Sequence, residues 1–161
     1  MFQKKIEEYK KEKMSLAYID ESGFAHDMPR THGYAECGKR CYGTHDWNAK
    51  GRKNVIAALS GTSLIGCGIV EGNVDAAVFN TWIEKILIPD LPKNSVVVMD
   101  NAAFHKSQRT KELIENHGCK IEFLPPYSPD LNPIEHKWAQ AKSIRKKLDC
   151  DVFELFKSHF P

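Results

Sequence analysis

Residues 96–107 read VVVMDNAAFHKS, and residues 120–147 read KIEFLPPYSPDLNPIEHKWAQAKSIRKK. The first stretch is an unbroken apolar run, rich in β-branched side chains, that closes on a carboxylate at Asp100. A run of this kind without alternation predicts a short strand covered on both faces. The second stretch predicts another strand over 120–123, then a Pro-rich turn, then a helix. Asn132 is a favoured N-cap, Pro133 suits the first helical position because its missing N–H costs nothing there, and Glu135 falls at the third. Ile134, Trp138, Ala141, Ile144 and Leu148 make an apolar stripe, which leaves Glu135, Lys142 and Lys146 together on another face. One face packs and the other is free to meet a ligand.

Outward from this centre, Ser107 to His117 has the pattern of a helix closed by Gly118. Residues 73–88 place Val78, Phe79, Trp82, Ile83, Ile86 and Leu87 at helical spacing, and Pro89 is expected to stop that helix. Residues 55–59 and 64–70 read as strands joined by a hairpin at Ser60, Gly61 and Thr62, and the Gly-rich residues 33–43 suggest another hairpin. Residues 16–21 form a strand with Leu16, Tyr18 and Asp20 on one face and Ala17, Ile19 and Glu21 on the other. Asp20 and Glu21 therefore cannot both point at one site. The opening residues carry Phe2, Ile6 and Tyr9 at helical spacing, so residues 1–14 are expected to be a linker or a short, weakly amphipathic helix. The remainder, residues 15–161, has a length that suits one domain with a substantial core.

Net charge is +2, but the positive residues cluster at Lys39, Arg40, Lys50, Arg52 and Lys53, and again at Lys137, Lys142, Arg145, Lys146 and Lys147. Local basic surfaces of this kind fit a polyanionic partner. Five cysteines show no disulfide framework and no apolar leader follows the basic opening, so a reducing cytoplasm is the expected compartment and no membrane association is indicated. His32, Cys37, Cys41 and His45 loosely imitate a zinc site, but the two cysteines are separated by three residues in a Gly-rich hairpin, and no zinc is expected.

The combination of VVVMDNAAFH, the Pro-Pro-Tyr-Ser-Pro-Asp-Leu-Asn-Pro-Ile-Glu segment and the YIDESGF of residues 18–24 resembles the DDE transposases of the mariner-like superfamily, in particular their bacterial insertion-sequence branch. The match runs from about Leu16 to Leu148. The resemblance implies an α/β, ribonuclease H-like fold: a mixed five-stranded sheet flanked by helices, with elements in the order βββαβαβα. It implies that strands one and four are neighbours, and that Asp20, Asp100 and Glu135 are both the catalytic residues and the metal ligands. Asn101 and His105 are then expected to orient DNA or water nearby, Lys142 and Lys146 to meet DNA, and Glu21 to lie outside the site. The family places a helix-turn-helix region before this domain. Nothing before Ser15 is long enough to supply one, so the chain is expected to be the catalytic half alone, with that region encoded separately.

An Asp, Asp, Glu set without His or Cys ligands suits Mg²⁺ or Mn²⁺, held as two ions, better than zinc. The expected reaction is cleavage of double-stranded DNA at element ends followed by strand transfer into target DNA, performed by a homodimer that pairs two ends. Two alternatives stand beside it: another ribonuclease H-like nuclease, and a truncated or domesticated relic that binds DNA without cutting. Taken singly, Glu135 would be a capping-box residue and each Asp a turn former or an edge residue. Their joint match to one pattern is what selects the catalytic reading.

Overall fold

The computed structural model describes residues 1–25, 37–38 and 52–160. The hairpin expected over 33–43 and three of the four imagined zinc ligands, His32, Cys41 and His45, lie outside the described residues, while Cys37 is exposed. In chain order the elements are α1 (Phe2–Lys11), β1 (Ser15–Ala25), β2 (Arg52–Ser60), β3 (Ser63–Glu71), α2 (Ala76–Trp82) continuing through a π-turn (Ile83–Leu87) into α3 (Ile88–Asp90), and β4 (Ser95–Met99). A 3₁₀ turn (Ala103–Lys106), α4 (Gln108–Asn116), β5 (Lys120–Phe123), a second 3₁₀ turn (Pro129–Leu131), α5 (Ile134–Leu148) and α6 (Val152–His159) complete the chain.

The strands form one mixed sheet in the order β3-β2-β1-β4-β5. The first three make an antiparallel meander, and β1 pairs in parallel with β4, which pairs in parallel with β5. The β1–β4 register sets Ala17 beside Val97 and Tyr18 beside Val98. The recorded pairing ends there, two residues short of Asp20 on β1 and of Asp100, which follows the end of β4. All five residues of β4 are buried, as expected for a strand covered on both faces.

Alternation along β1 divides the core into two sides. Ala17 and Ile19 pack with Ile56, Val97 and Met99 beneath the helical segment that carries Phe79, Trp82 and Leu87, and beneath Ile114 of α4. On the opposite side Val55, Ala57 and Leu59 pack against Ile134, Trp138 and Ala141 of α5 and against Val152, Leu155 and Phe156 of α6. Ile6 of α1 joins Met14, Val96, Val98 and Leu124 on this same side. Fully burying a side chain of this size contributes roughly 1.5–3 kcal/mol, so the two covered faces hold the sheet between layers of helix.

Three local readings change. Pro89 does not stop its helix: the Ile88 N–H reaches back five residues to the Ile83 carbonyl, and the widened turn carries the chain through Pro89 to Leu91. Asn132 does not cap α5, because the preceding 3₁₀ turn delays the helix by one residue; Pro133 takes the cap position and no side chain bonds there. Leu148 is exposed, and Arg145 replaces it on the buried stripe. The sequence reading also left α6 out; Asp151 begins it by accepting from the Phe153 N–H at 3.1 Å.

Candidate active site

Three elements deliver the acids. Asp20 stands midway along β1, Asp100 follows the last residue of β4, and Glu135 lies in the first turn of α5. All three line one cleft of about 290 Å³, whose far wall is the Pro-rich segment from Pro125 to Pro129. Asp20 is 8% exposed, and its Oδ2 accepts from the Trp138 indole N–H at 3.3 Å. Trp138 sits one helical turn beyond Glu135, so this bond ties the strand bearing one acid to the helix bearing another. Asn101 plays a comparable part across the cleft, where its Nδ2 donates to the Leu124 carbonyl at 2.5 Å and fastens the end of β4 to the start of the Pro-rich segment.

Burial pushes the Asp20 carboxyl up to about 7, and the negative charges of Glu21, Glu135 and Asp100 push in the same direction. Asp100 goes the other way. Its pKa is lowered because His105 and the Ala102 N–H, at 2.7 and 2.9 Å, both donate to its Oδ1. His105 is fully buried, and its other ring nitrogen donates to Glu21 Oε1 at 2.8 Å. Burial disfavours a charged ring, yet the hydrogen bonds and charges of Asp100 and Glu21 outweigh it and hold the His105 pKa up at about 9. Since ionised carboxylates only accept, both ring nitrogens donate.

Glu21 does lie on the sheet face opposite Asp20, as alternation requires, but it is not idle: His105 joins it to Asp100. No local signal marks this pairing, because the partners are 84 positions apart in the chain. Asn132 is a second residue whose part the sequence misassigned. It lines the cleft almost wholly buried, and its Oδ1 has no hydrogen-bond partner. Tyr127, fully exposed at the rim, holds a left-handed φ of 55°. Lys142 and Lys146 are exposed on α5, and the Lys142 ammonium lies 5.5 Å from the centre of the Phe24 ring.

The donor set fits a hard divalent cation: three carboxylates line the cleft with no His or Cys beside them, and one of the three is disfavoured as an anion until a positive charge arrives. Among the described residues no three His, Cys, Asp or Glu side chains are gathered closely enough to hold an ion. The acids thus line the cleft without closing on a common point, and Glu135 is the most exposed of them.

Comparison with known proteins places the chain. Residues 15–152 match the DDE superfamily endonuclease family, and the chain belongs to that family. It is 31% identical over 88 residues to the Tcb2 transposable-element transposase of Caenorhabditis briggsae, covering 52% of this chain and 32% of that one. It is 29% identical over 135 residues to a 39 kDa protein of insertion element IS630 from Shigella sonnei, covering 71% and 39%. The chain therefore spans about a third of the length of the curated relatives it matches. Among solved structures, the catalytic domain of Mos1 transposase with raltegravir and Mn superposes with a TM-score of 0.65 at 15% identity, covering 94% of this chain and 72% of that one. The Mos1 strand transfer complex gives 0.65 at 18%, covering 97% and 52%. The fold is ribonuclease H-like, as the family resemblance implied.

Proposed function

We propose that this chain is the catalytic domain of a transposase that cuts DNA strands at element ends and joins them to target DNA with the help of Mg²⁺ or Mn²⁺. The observation that carries the proposal is that Asp20, Asp100 and Glu135 all line one cleft of a DDE-family chain. Solved relatives support it in kind, since Mos1 transposase has been captured with transposon-end DNA, with Mg and with Mn.

In the proposed reaction a water oxygen bonds to the scissile phosphorus, the bond to the 3′-oxygen breaks, and that oxygen leaves as a hydroxyl after taking a proton. In the second step this 3′-hydroxyl bonds to a target phosphorus and displaces the target's own 3′-oxygen. Asp20, Asp100 and Glu135 would hold the ions, proposed as two. Bound there, divalent ions supply positive charge to the phosphate and polarise the attacking oxygen. The chain's other residues set geometry. His105 fixes the rotamer of Asp100, Trp138 that of Asp20, and Asn101 the position of the cleft wall. Exposed Lys142 and Lys146, on the same face of α5 as Glu135, would meet the DNA backbone.

No helix among the described residues is long and apolar enough to cross a membrane; action on DNA in the cytoplasm is part of the proposal. The domain assignment proposed is a catalytic unit from 15 to 161 behind α1, working as a homodimer with a separately encoded helix-turn-helix part. Incubating the chain with element-end duplex and Mg²⁺ or Mn²⁺ tests the activity. Metal-dependent nicking that Asp100→Asn abolishes is expected; no cleavage in the presence of a helix-turn-helix partner favours the relic instead.

A further inference from the structure

We infer that Glu21 is a positioning residue for Asp100, acting through the ring of His105. The inference rests on the reading of Asp100 as a metal ligand and deepens it. Asp20 and Glu21 are adjacent on β1, and alternation sends them to opposite faces of the sheet, one into the cleft and one away. A carboxylate turned towards the apolar core side is costly unless bonded, and Glu21 is bonded to one specific group, His105 Nε2 at 2.8 Å. The same ring meets Asp100 Oδ1 through Nδ1 at 2.7 Å. Its side chain has no exposed surface and is wedged against Phe79 and Phe104, with ring centres 4.6 and 4.4 Å away.

The consequence is geometric. Parallel pairing between β1 and β4 ends at Tyr18 and Val98, so no ladder bond fixes Asp100 relative to β1. Glu21, anchored by its antiparallel pairing to Ile56 of β2, is fixed. The chain of bonds from Glu21 to His105 to Asp100 replaces the missing ladder and sets where the Asp100 carboxylate stands against Asp20. One strand thus contributes twice, once by lining the cleft with Asp20 and once by aiming the acid of its neighbour. Groups that orient a metal ligand through its second polar atom typically change metal affinity or activity by about 10–100-fold when removed.

The test uses the whole chain and Mn²⁺ alone, with affinity measured by calorimetry and the folded state followed by thermal unfolding without metal. Glu21→Ala removes the anchor, and Glu21→Asp keeps the charge but withdraws it by one methylene. Both should weaken Mn²⁺ binding about tenfold or more. Glu21→Gln, of the same length and able to bond the ring, should bind Mn²⁺ within about threefold of wild type, an effect under about 0.7 kcal/mol. A purely structural role would lower the unfolding temperature in the Ala and Asp variants while leaving Mn²⁺ affinity of the folded protein unchanged, and that result overturns the inference. So does a Gln variant as weak as Ala, which would assign the effect to charge rather than position. If Ala does not fold, the Asp and Gln pair decides alone. A wild-type chain that binds no Mn²⁺, or binds it equally well as Asp100→Asn, overturns the metal-site reading and the inference with it; wild-type affinity in the Asp variant overturns the inference only.

Discussion

The indole N–H of Trp138 donates to Asp20 Oδ2 at 3.3 Å, joining the helix that carries Glu135 to the strand at the middle of the sheet. Trp138 is also packed edge-on against Phe24 and Phe156, so one side chain holds α5 in place and addresses a cleft acid. Trp138→Phe keeps most of the packing and deletes the donor. The expected cost is about 1–3 kcal/mol, the range for a hydrogen bond to an ionisable group plus a small loss of volume. Urea unfolding of the variant measures it. A change below about 0.5 kcal/mol would show that the bond contributes little to fastening the helix.

The Asp20 pKa gives stability a pH dependence of unusual sign. Its carboxyl titrates near 7 in the folded chain against an ordinary 3.8, so between those values the folded state holds a proton that the unfolded state has released. Stability must then fall as pH rises from about 4 to about 7, by a few kcal/mol at most. His105, raised from 6.5 to about 9, contributes stability that is complete below 6.5 and is lost as pH rises through 9. Asp100, with its lowered pKa, stabilises above its ordinary value, and that part is lost only in stronger acid. Metal-free unfolding curves of wild type and Asp20→Asn across pH 4–7 separate these parts. The variant should be flatter in that window, and parallel profiles would contradict the assignment. Mg²⁺ affinity should climb with pH through about 7, because the ion must displace the Asp20 proton.

Ser107 and Asn132, polar residues just before helices, should behave differently. Ser107 Oγ accepts from the Thr110 N–H at 3.1 Å and caps α4, so Ser107→Ala is expected to cost about 1 kcal/mol. Asn132 makes no cap bond, and its buried Oδ1 is unpartnered, so Asn132→Ala in metal-free protein should cost less than about 0.5 kcal/mol. Chemical denaturation of the two variants side by side checks the contrast. An equal loss at both positions would restore Asn132 as a cap.

The contrast marks where sequence reading succeeds and where it stops. Strand alternation placed Asp20 and Glu21 on opposite faces, and the β-branched run of β4 announced its double burial, because both depend on neighbours within a few residues. The adjacency of β1 and β4 came from the family resemblance, and the pairing register agrees with it. The Asn132 cap failed because a cap depends on where the preceding turn ends, and the 3₁₀ turn at Pro129–Leu131 moved that point by one residue. The passage through Pro89 was hidden for a similar reason, since a π-turn leaves no compositional mark. Glu21 was judged by its face alone. Its partner stands 84 positions away in the chain, and only tertiary packing brings His105 to it.

Binding of DNA by this chain should be electrostatic and nearly indifferent to sequence. Lys142 and Lys146 lie seven and eleven positions beyond Glu135 on α5, which at 3.6 residues per turn returns each to the same face. Both are exposed, so a duplex lying across that face could pass from the lysines to the acidic cleft. The Lys142 ammonium rests near the Phe24 ring at the exposed surface, within reach of a phosphate oxygen on a duplex laid there. Each phosphate neutralised on duplex DNA lowers the log-log salt slope by about 0.9, so replacing both lysines with glutamate should make the slope shallower by about 1.8 or more. Affinity should fall on every duplex alike, because phosphate contacts carry no base information. Titrations of wild type and the Lys142→Glu, Lys146→Glu double variant on element-end and scrambled duplexes at several salt concentrations provide the measurement. An unchanged slope would move the DNA path away from α5. A loss confined to element ends would instead show that these lysines take part in reading sequence.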